Sequence, residues 1–300
     1  MTCYHPLLAY RDDYGGITFN KPNRPWPVGF NLPCGQCIGC RLTYSRHWAV
    51  RCIHEAQMHK ENCFITLTFS PEALQARDNP YSLDVREFQL FMKRLRKKIG
   101  KKVRFFHVGE YGEKNKRPHY HSLLFGYDFP DKTLFSKSGG VSLYTSEELQ
   151  KLWPHGFSTI GEVTFESAAY CARYCLKKIT GEQAPDHYTY TDPETGEVIN
   201  IKPEYATMSR NKGIGYSWFE KYKEDVFPHD YVVIRDNLKI SPPPYYVDLL
   251  SEEERGVIKA QRAKNAGPVI DKYDENMDRL FVQEACKEET LKQLLRKLDQ

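Results

Sequence analysis

The feature that most constrains the fold is the segment Pro118-His119-Tyr120-His121-Ser122-Leu123-Leu124-Phe125. Its length and apolar end are typical of a strand inside a sheet. Side chains alternate between the two faces of a strand, so His119 and His121 project from the same face. Two imidazoles held side by side by a rigid strand can bind a divalent metal ion. An isolated pair of this kind is more often found as two surface histidines, so the residues around it must be considered.

The neighbouring segments predict an antiparallel sheet with helices on its faces. Asp84 and Glu87 have the spacing of a helix-capping pair, and Gly100 is typical of a helix end. The order βαββαβα predicts an α+β fold with a ferredoxin-like split βαβ arrangement. Strands are predicted at 64–69, 103–111, 119–126 and 157–164, and helices at 84–99, 146–153 and 165–179.

A cysteine knuckle precedes this core. The run Cys34-Gly-Gln-Cys37-Ile-Gly-Cys40 can aim several thiolates at one ion, as in structural zinc sites. Cys3 is the first choice for a fourth ligand, with Cys52 and His5 as alternatives. The spacing also begins iron–sulfur runs, and free thiols remain a further alternative.

Composition limits the class of protein. The content of hydrophobic residues is 40%, a globular value, and no run of 18 apolar residues predicts a membrane span. The first ten residues do not resemble a secretory signal, so the nine cysteines are expected in a reducing cytoplasm. A basic stretch predicts either a polyanion partner or a solvated helix face. It comprises Lys93, Arg94, Arg96, Lys97, Lys98, Lys101, Lys102 and Arg104.

Four regions are predicted along the chain. They are a cysteine-rich segment at 1–60, the βαββαβα core at 61–181, an aromatic and proline-rich extension at 182–250 and a charged helical tail at 251–300. Residues 1–33 are predicted to be irregular because prolines and a Gly15-Gly16 turn interrupt them. A hairpin is predicted around 193–196. No Walker-type phosphate-binding loop occurs in the sequence.

An acidic residue is predicted to join the histidine pair. Glu110 lies near the end of the second core strand, and a hairpin would place it across from His119 and His121. His107 is an alternative ligand, but it lies on the opposite face unless Gly109 marks a bulge. Two imidazoles and one carboxylate leave open positions for water and a phosphate oxygen. Mixed nitrogen and oxygen ligands beside phosphate favour Mg²⁺ or Mn²⁺.

The last core helix carries candidate nucleophiles. Tyr170 and Tyr174 are four residues apart, and Lys177 lies on the same helical face. A phenol with a pKa of about 10 is a poor nucleophile at neutral pH. A nearby metal ion and an ammonium group would favour the phenolate. The alternative is two tyrosines half-buried by their rings.

Together these motifs resemble those of HUH endonucleases. The resemblance is closest to the rolling-circle replication initiators of small single-stranded DNA phages, within them the gokushovirus type of the Microviridae. It covers roughly residues 1–250. The passages that carry it are Phe64-Ile-Thr-Leu-Thr-Phe69, His119-Tyr120-His121, Tyr170 to Lys178, the cysteine knuckle, Gly213-Ile-Gly215 and Pro242-Pro-Pro-Tyr-Tyr246.

The resemblance implies a site-specific single-stranded DNA endonuclease and strand transferase. Tyrosine attack would leave a 5′-phosphotyrosine link and a free 3′ hydroxyl. Tyr174 is expected to cut first, because single-tyrosine relatives have the spacing Y-x-x-K. The basic stretch is expected to hold backbone phosphates. The family's roles carry over to His119, His121 and Glu110 as metal ligands, to Tyr170 and Tyr174 as nucleophiles, and to Lys177 as a phosphate contact.

The expected partner is a single-stranded DNA origin, in the form of a stem-loop. Because the sequence has no motor motif, host helicase and polymerase are expected to separate and copy the strands. The expected location is the cytoplasm of an infected bacterium. Two other functions fit fewer of the motifs. One is a non-catalytic zinc-containing nucleic-acid-binding protein, and the other is an HUH transposase.

Overall fold

Seven antiparallel strands form the sheet that carries the histidine pair. The computed structural model describes residues 3–112, 116–174, 178–179, 184–191, 196–234, 237–266 and 277–295. Within them the strands are β1 (Leu7–Arg11), β2 (Ile17–Thr18), β3 (Gly29–Leu32), β4 (Asn62–Leu67), β5 (Arg104–Tyr111), β6 (Pro118–Phe125), β7 (Thr133–Ser138), β8 (Val141–Thr145), β9 (Ser158–Gly161), β10 (Thr189–Thr191), β11 (Val198–Asn200), β12 (Tyr205–Met208), β13 (Val232–Val233) and β14 (Lys239–Ile240).

The helices in the same residues alternate with these strands. They are α1 (Ile38–Gln57), α2 (Pro71–Gln75), α3 (Val85–Ile99), α4 (Glu147–Leu152), α5 (Phe165–Tyr174), α6 (Ala184–His187), α7 (Tyr216–Val226), α8 (Pro244–Asp248), α9 (Glu252–Ala266) and α10 (Met277–Leu295). None of the described helices is long and apolar enough to cross a membrane.

The chain forms two compact units. One consists of Met1–Tyr44 with Lys259–Gln300, and the other is Ser45–Ile258. The large sheet belongs to the second unit. The four regions predicted from sequence, with boundaries at 60, 181 and 250, stay a prediction.

The predicted α+β class and core topology are confirmed. The four predicted strands lie side by side in the order β5-β6-β4-β9, and every neighbouring pair is antiparallel. This is the order of a ferredoxin-like split βαβ sheet. Three strands that were not predicted extend it, with β12 beyond β5 and the β7–β8 hairpin beyond β9.

Helices cover the two faces of the sheet with different residues. Phe88, Phe91 and Leu95 of α3 are buried in one cluster with Tyr120 and Leu124 of β6. On the other face, α1 and α5 contribute small side chains. There Ala49, Cys52, Ala168 and Cys171 are buried with Phe106, Val108 and Leu123.

Local signals set the ends of the core helices. The Asp84 carboxylate accepts a hydrogen bond from the Arg86 N–H, and Gly100 ends α3 with a φ of 65°, as predicted. The Thr164 hydroxyl accepts from the Ser167 N–H at 3.1 Å at the start of α5. The predicted continuation of α5 to 179 crosses residues 175–177, which lie outside the described residues.

The prediction that residues 1–33 are irregular is wrong. Strand β1 pairs antiparallel with both β2 and β3. The Asp12 carboxylate accepts the N–H groups of Tyr14 and Gly16 and so closes the turn between β1 and β2. The prolines fall outside the strands, where they do not interrupt the pairing.

The hairpin predicted near 193–196 is present as β10 and β11, and its turn at 192–195 lies outside the described residues. Helices α9 and α10 confirm the helical character of the tail.

Candidate functional site

The register of β5 against β6 brings the predicted acidic residue to the histidine pair. Glu110 lies directly opposite His119, and Val108 lies opposite His121. Residues two apart on a strand share a face, so Glu110, His119 and His121 project from the same face. Pairing is continuous from Arg104 to Tyr111, and no bulge occurs at Gly109.

The three side chains converge on one point. Nε2 of His119 lies 2.8 Å from Oε1 of Glu110, and Nε2 of His121 lies 2.9 Å from the same oxygen. Their ligand atoms all lie within 4.8 Å of one another. Glu110 and His121 are buried, and His119 is partly exposed, so the group opens to solvent on one side.

The donor chemistry of the group fits a cation. Nδ1 of His119 lies 3.1 Å from the carbonyl oxygen of Arg117, to which only an N–H can donate. The Nε2 lone pair of the neutral ring therefore faces a carboxylate oxygen. Burial alone would raise the pKa of Glu110, but hydrogen bonds from the two imidazoles lower it to about 2. Two acceptors that face each other require a proton or a metal ion between them.

Thr66 supports the group from the neighbouring strand, a role that the sequence did not predict. It lies opposite His121 in the β4–β6 pairing, and its hydroxyl lies 3.0 Å from His121 Nδ1. A partner on Nδ1 orients the ring and leaves Nε2 toward the carboxylate. The signal was the alternation of Phe64-Ile-Thr-Leu-Thr-Phe69, which places a threonine on the histidine face.

His107, the alternative ligand, lies on the opposite face. Its ring stacks on Phe88 with centroids 3.5 Å apart, and its nitrogens bond the hydroxyls of Ser122 and Tyr205 at 2.8 and 3.1 Å. Burial lowers the pKa of His107 well below its ordinary value. This histidine takes no part in the Glu110 group and belongs to the core.

Helix α5 carries one of the two predicted tyrosines to the histidines. The Tyr170 ring meets His121 edge-on, with centroids 5.2 Å apart, and it also contacts Phe64. Tyr170 is largely buried, at 8% exposure. Tyr174 is the last described residue of α5, one turn further on, and its side chain is not among those described. Lys177 lies outside the described residues.

The predicted cysteine knuckle closes into a group of four sulfurs. Cys3, Cys34, Cys37 and Cys40 have Sγ atoms within 4.8 Å of one another. The N–H groups of Tyr4, Cys34 and Cys37 donate to sulfurs of the group at 3.2 to 3.3 Å. Burial would raise the pKa of Cys37, but backbone hydrogen bonds at its sulfur lower it to about 6. Four converging sulfurs, one of them favoured as thiolate, are compatible with a metal ion.

The alternative fourth ligands are placed elsewhere. Cys52 is buried with the residues under α5, and His5 contacts the Glu284 carboxylate at 2.5 Å.

The predicted DNA-binding stretch lies on the face opposite the Glu110 group, because most of it belongs to α3. Its arginines already bond protein oxygens. Arg94 donates to the Leu152 carbonyl, Arg96 to the Val103 carbonyl and Arg104 to the Glu55 carboxylate. DNA binding by this stretch stays a prediction.

The lysines of the stretch are more accessible. Lys98 and Lys101 form ion pairs with Glu148 and Glu61 at 3.0 and 3.6 Å. Lys93, Lys97 and Lys102 are exposed.

Comparison with known proteins agrees with this site. Residues 62–179, which include Thr66, Glu110, both histidines and both tyrosines, match the family model of the replication-associated protein ORF2. Replication-associated protein VP4 of Bdellovibrio phage phiMH2K is 36% identical over 258 residues, 83% of this chain and 76% of that protein. Replication-associated protein ORF2 of Spiroplasma virus 4 is 35% identical over 251 residues, 80% of this chain and 73% of that protein.

A third relative is replication-associated protein ORF4 of Chlamydia phage 1, 37% identical over 230 residues, 74% of this chain and 54% of that protein. No solved structure matches the chain. With this identity and coverage, the chain belongs to the replication-associated protein family of phages, as its motifs indicated.

Proposed function

We propose that this protein is a site-specific single-stranded DNA endonuclease and strand transferase that initiates rolling-circle replication of a phage genome. The observation that carries the proposal is the convergence of Glu110, His119 and His121 beside the ring of Tyr170. A cation-binding group next to a phenol is the minimum that tyrosine attack on a phosphodiester requires. The names of the relatives support a role in replication.

Glu110, His119 and His121 would hold the catalytic ion, for which we propose Mg²⁺ or Mn²⁺. When bound, the ion would polarise the scissile phosphate and stabilise its developing charge. Thr66 would keep His121 in the ligating orientation. The carboxylate of Glu110 is anionic through the neutral pH range, so the group is ready to bind a cation.

The tyrosines would supply the nucleophile. The phenol oxygen of Tyr174 attacks the scissile phosphorus, and the bond from phosphorus to the 3′ oxygen breaks. The phenol proton leaves, the 3′ oxygen takes up a proton, and the protein becomes linked to the 5′ phosphate. The free 3′ hydroxyl primes synthesis, and Lys177 contacts the attacked phosphate.

A second tyrosine explains how the product is closed. After one round of synthesis, Tyr170 attacks the regenerated junction, and the new 3′ hydroxyl then attacks the first phosphotyrosine. Each step exchanges one phosphodiester for another, so no external energy source is needed.

The remaining assignments belong to the same proposal. The four cysteines hold a structural Zn²⁺, and the DNA substrate is a stem-loop origin. Host helicase and polymerase act with the protein in the cytoplasm of an infected bacterium. The relatives are phage proteins, which supports this location.

The test is a covalent adduct. Full-length protein with Mn²⁺ is mixed with single-stranded phage DNA that contains the origin, and the products are separated under denaturing conditions. We expect a protein–DNA adduct that survives denaturation. The adduct should be lost in the Tyr170→Phe/Tyr174→Phe double variant and in His119→Ala/His121→Ala.

Tyr188→Phe serves as the matched control, because its phenol bonds Glu204 outside the Glu110 group. This variant should form the adduct at the wild-type level. An adduct that persists in the double tyrosine variant would refute the assignment of the nucleophiles. No adduct on any origin-containing strand would refute the proposed activity.

A further inference from the structure

The first unit carries an open groove on its three-stranded sheet. Leu8, Tyr10 and Gly29 line its floor, because Tyr10 and Gly29 are cross-strand partners and Leu8 lies two residues away on the same face. Trp26, Pro27, Val28 and Lys21 line the remainder. The groove has a volume of about 520 Å³, large enough for a nucleobase and its sugar.

Trp26 is presented to solvent in an unusual way. Its side chain is 93% exposed, although tryptophan is highly buried on average. Its φ is 54°, in the left-handed region that bulky residues rarely occupy. Such a conformation has an energetic cost, and residues that bear it cluster at ligand-binding sites. The cost is unexplained by packing, since the indole is almost entirely in solvent.

Charge in and around the groove favours a polyanion. Among the described residues, Lys21 is the charged side chain that lines it, and Arg11 and Arg24 are exposed on the same small sheet unit. The nearby Asp12 carboxylate already accepts two backbone N–H groups. Asp13 lies 3.9 Å from the Arg24 guanidinium.

We propose that this groove binds unpaired bases of single-stranded DNA, with Trp26 as the stacking platform and Lys21 as the phosphate contact. The occupant follows from the combination of an exposed indole, a second aromatic ring at Tyr10 and a cationic rim. Proteins that bind single strands stack bases on aromatic rings beside basic side chains. The inference rests on the proposed function and deepens it, because it adds a strand-holding surface to a protein whose substrate is single-stranded DNA.

The experiment separates this surface from the nicking chemistry. Labelled oligothymidylate of about 20 nucleotides, which lacks the origin, is titrated with full-length protein while fluorescence anisotropy is recorded. We expect Trp26→Ala to weaken binding about tenfold, since stacking contributes roughly 1–3 kcal/mol per base. Lys21→Ala should lower the dependence of log affinity on log salt by about 0.7.

Tyr14→Ala is the matched control, because Tyr14 is 98% exposed on the β1–β2 turn but does not line the groove. It should bind oligothymidylate like the wild type. Intrinsic fluorescence gives a second readout, since Trp26 is the tryptophan with the most exposed side chain among the chain's four. Oligothymidylate should quench a component of the emission that Trp26→Ala lacks.

Equal affinities of Trp26→Ala and Tyr14→Ala would overturn the proposal. So would unchanged DNA affinity together with altered sedimentation of Trp26→Ala, which would instead assign the groove to protein association. His119→Ala/His121→Ala should bind oligothymidylate normally while losing the origin adduct. The groove and the nicking site therefore fail or succeed in separate measurements.

Discussion

At the scale of single residues, the arrangement around His121 is decided by partners from two neighbouring strands. Glu110 comes from β5 and faces Nε2, whereas Thr66 comes from β4 and faces Nδ1. A histidine whose second nitrogen is held in this way is oriented before any ion binds. Removal of such an orienting group lowers metal affinity by roughly 10- to 100-fold in known sites.

We therefore expect Thr66→Val to weaken Mn²⁺ binding by about tenfold while the fold is kept, because valine has nearly the same shape and no hydroxyl. Affinity is measured by calorimetric titration of the protein with Mn²⁺ in the absence of DNA. Thr159→Val is the matched control, since Thr159 lies beside Thr66 in the β4–β9 pairing, on the side away from His121. Equal affinities of the two variants would remove Thr66 from the site.

A second residue, His54, links stability to pH. Burial lowers the pKa of His54 to about 3, where its ring lies against Trp218 with centroids 3.5 Å apart and bonds the Tyr246 hydroxyl at 2.9 Å. The unfolded chain would bind this proton near pH 6.5. Between these pH values the unfolded state binds more protons, so the free energy of unfolding falls as pH is lowered.

We expect a contribution of about 1.4 kcal/mol per pH unit below about pH 6 that His54→Gln lacks. The measurement is urea unfolding at several pH values between about 7 and about 4, on either side of the unfolded pKa. His229→Gln, at an exposed position, should keep the wild-type slope. Parallel curves for wild type and His54→Gln would show that His54 is not the titrating group.

At the scale of elements, helix α10 is part of the cysteine knuckle within the first unit. Leu280 is buried in one cluster with Tyr4 and Cys37. The Glu284 carboxylate contacts both His5 and the N–H of Ile38, the first residue of α1. The charged tail thus covers the sulfur group instead of forming a free appendage.

Leu280→Asp should loosen this cover, because it would bury an unpaired carboxylate beside the sulfurs. We expect a chelator to remove zinc at least several times faster from this variant, as recorded with a zinc-sensitive dye. Val282→Asp changes a residue of the same helix that is 63% exposed, and it should lose zinc at the wild-type rate. Identical rates would mean that α10 does not protect the metal site.

At the scale of the whole molecule, the sheet depends on segments far apart in the chain. The predicted core at 61–181 lacks β12, which pairs with β5, and lacks Ala49 and Cys52 of α1. Without them Phe106, Val108 and Leu123 would be uncovered. Exposure of three such side chains costs roughly 5 kcal/mol, comparable with the total stability of a domain.

We expect the fragment 45–258 to melt cooperatively and the fragment 61–181 to show no cooperative transition by circular dichroism. Both fragments contain the complete Glu110, His119 and His121 group, so a difference reports on packing and not on the metal ligands. Cooperative melting of the shorter fragment would support the boundaries drawn from sequence at 60 and 181.

The sequence by itself determined the core topology and the short-range geometry of the site. Strand alternation requires His119 and His121 to share a face, and the short β5–β6 connection requires an antiparallel hairpin with Glu110 nearby. Capping residues determined the ends of α3. These features are local, because each depends on residues within a few positions of one another.

Only the tertiary structure decided which distant residues join them. Thr66, β12 and the cover of α10 over the cysteines depend on which strand or helix lies alongside, and sequence periodicity carries no information about such neighbours. The same holds for the strands at 7–32, which are too short to show a pattern until they pair. Periodicity fixes the face on which a side chain lies, but its contacts depend on long-range packing.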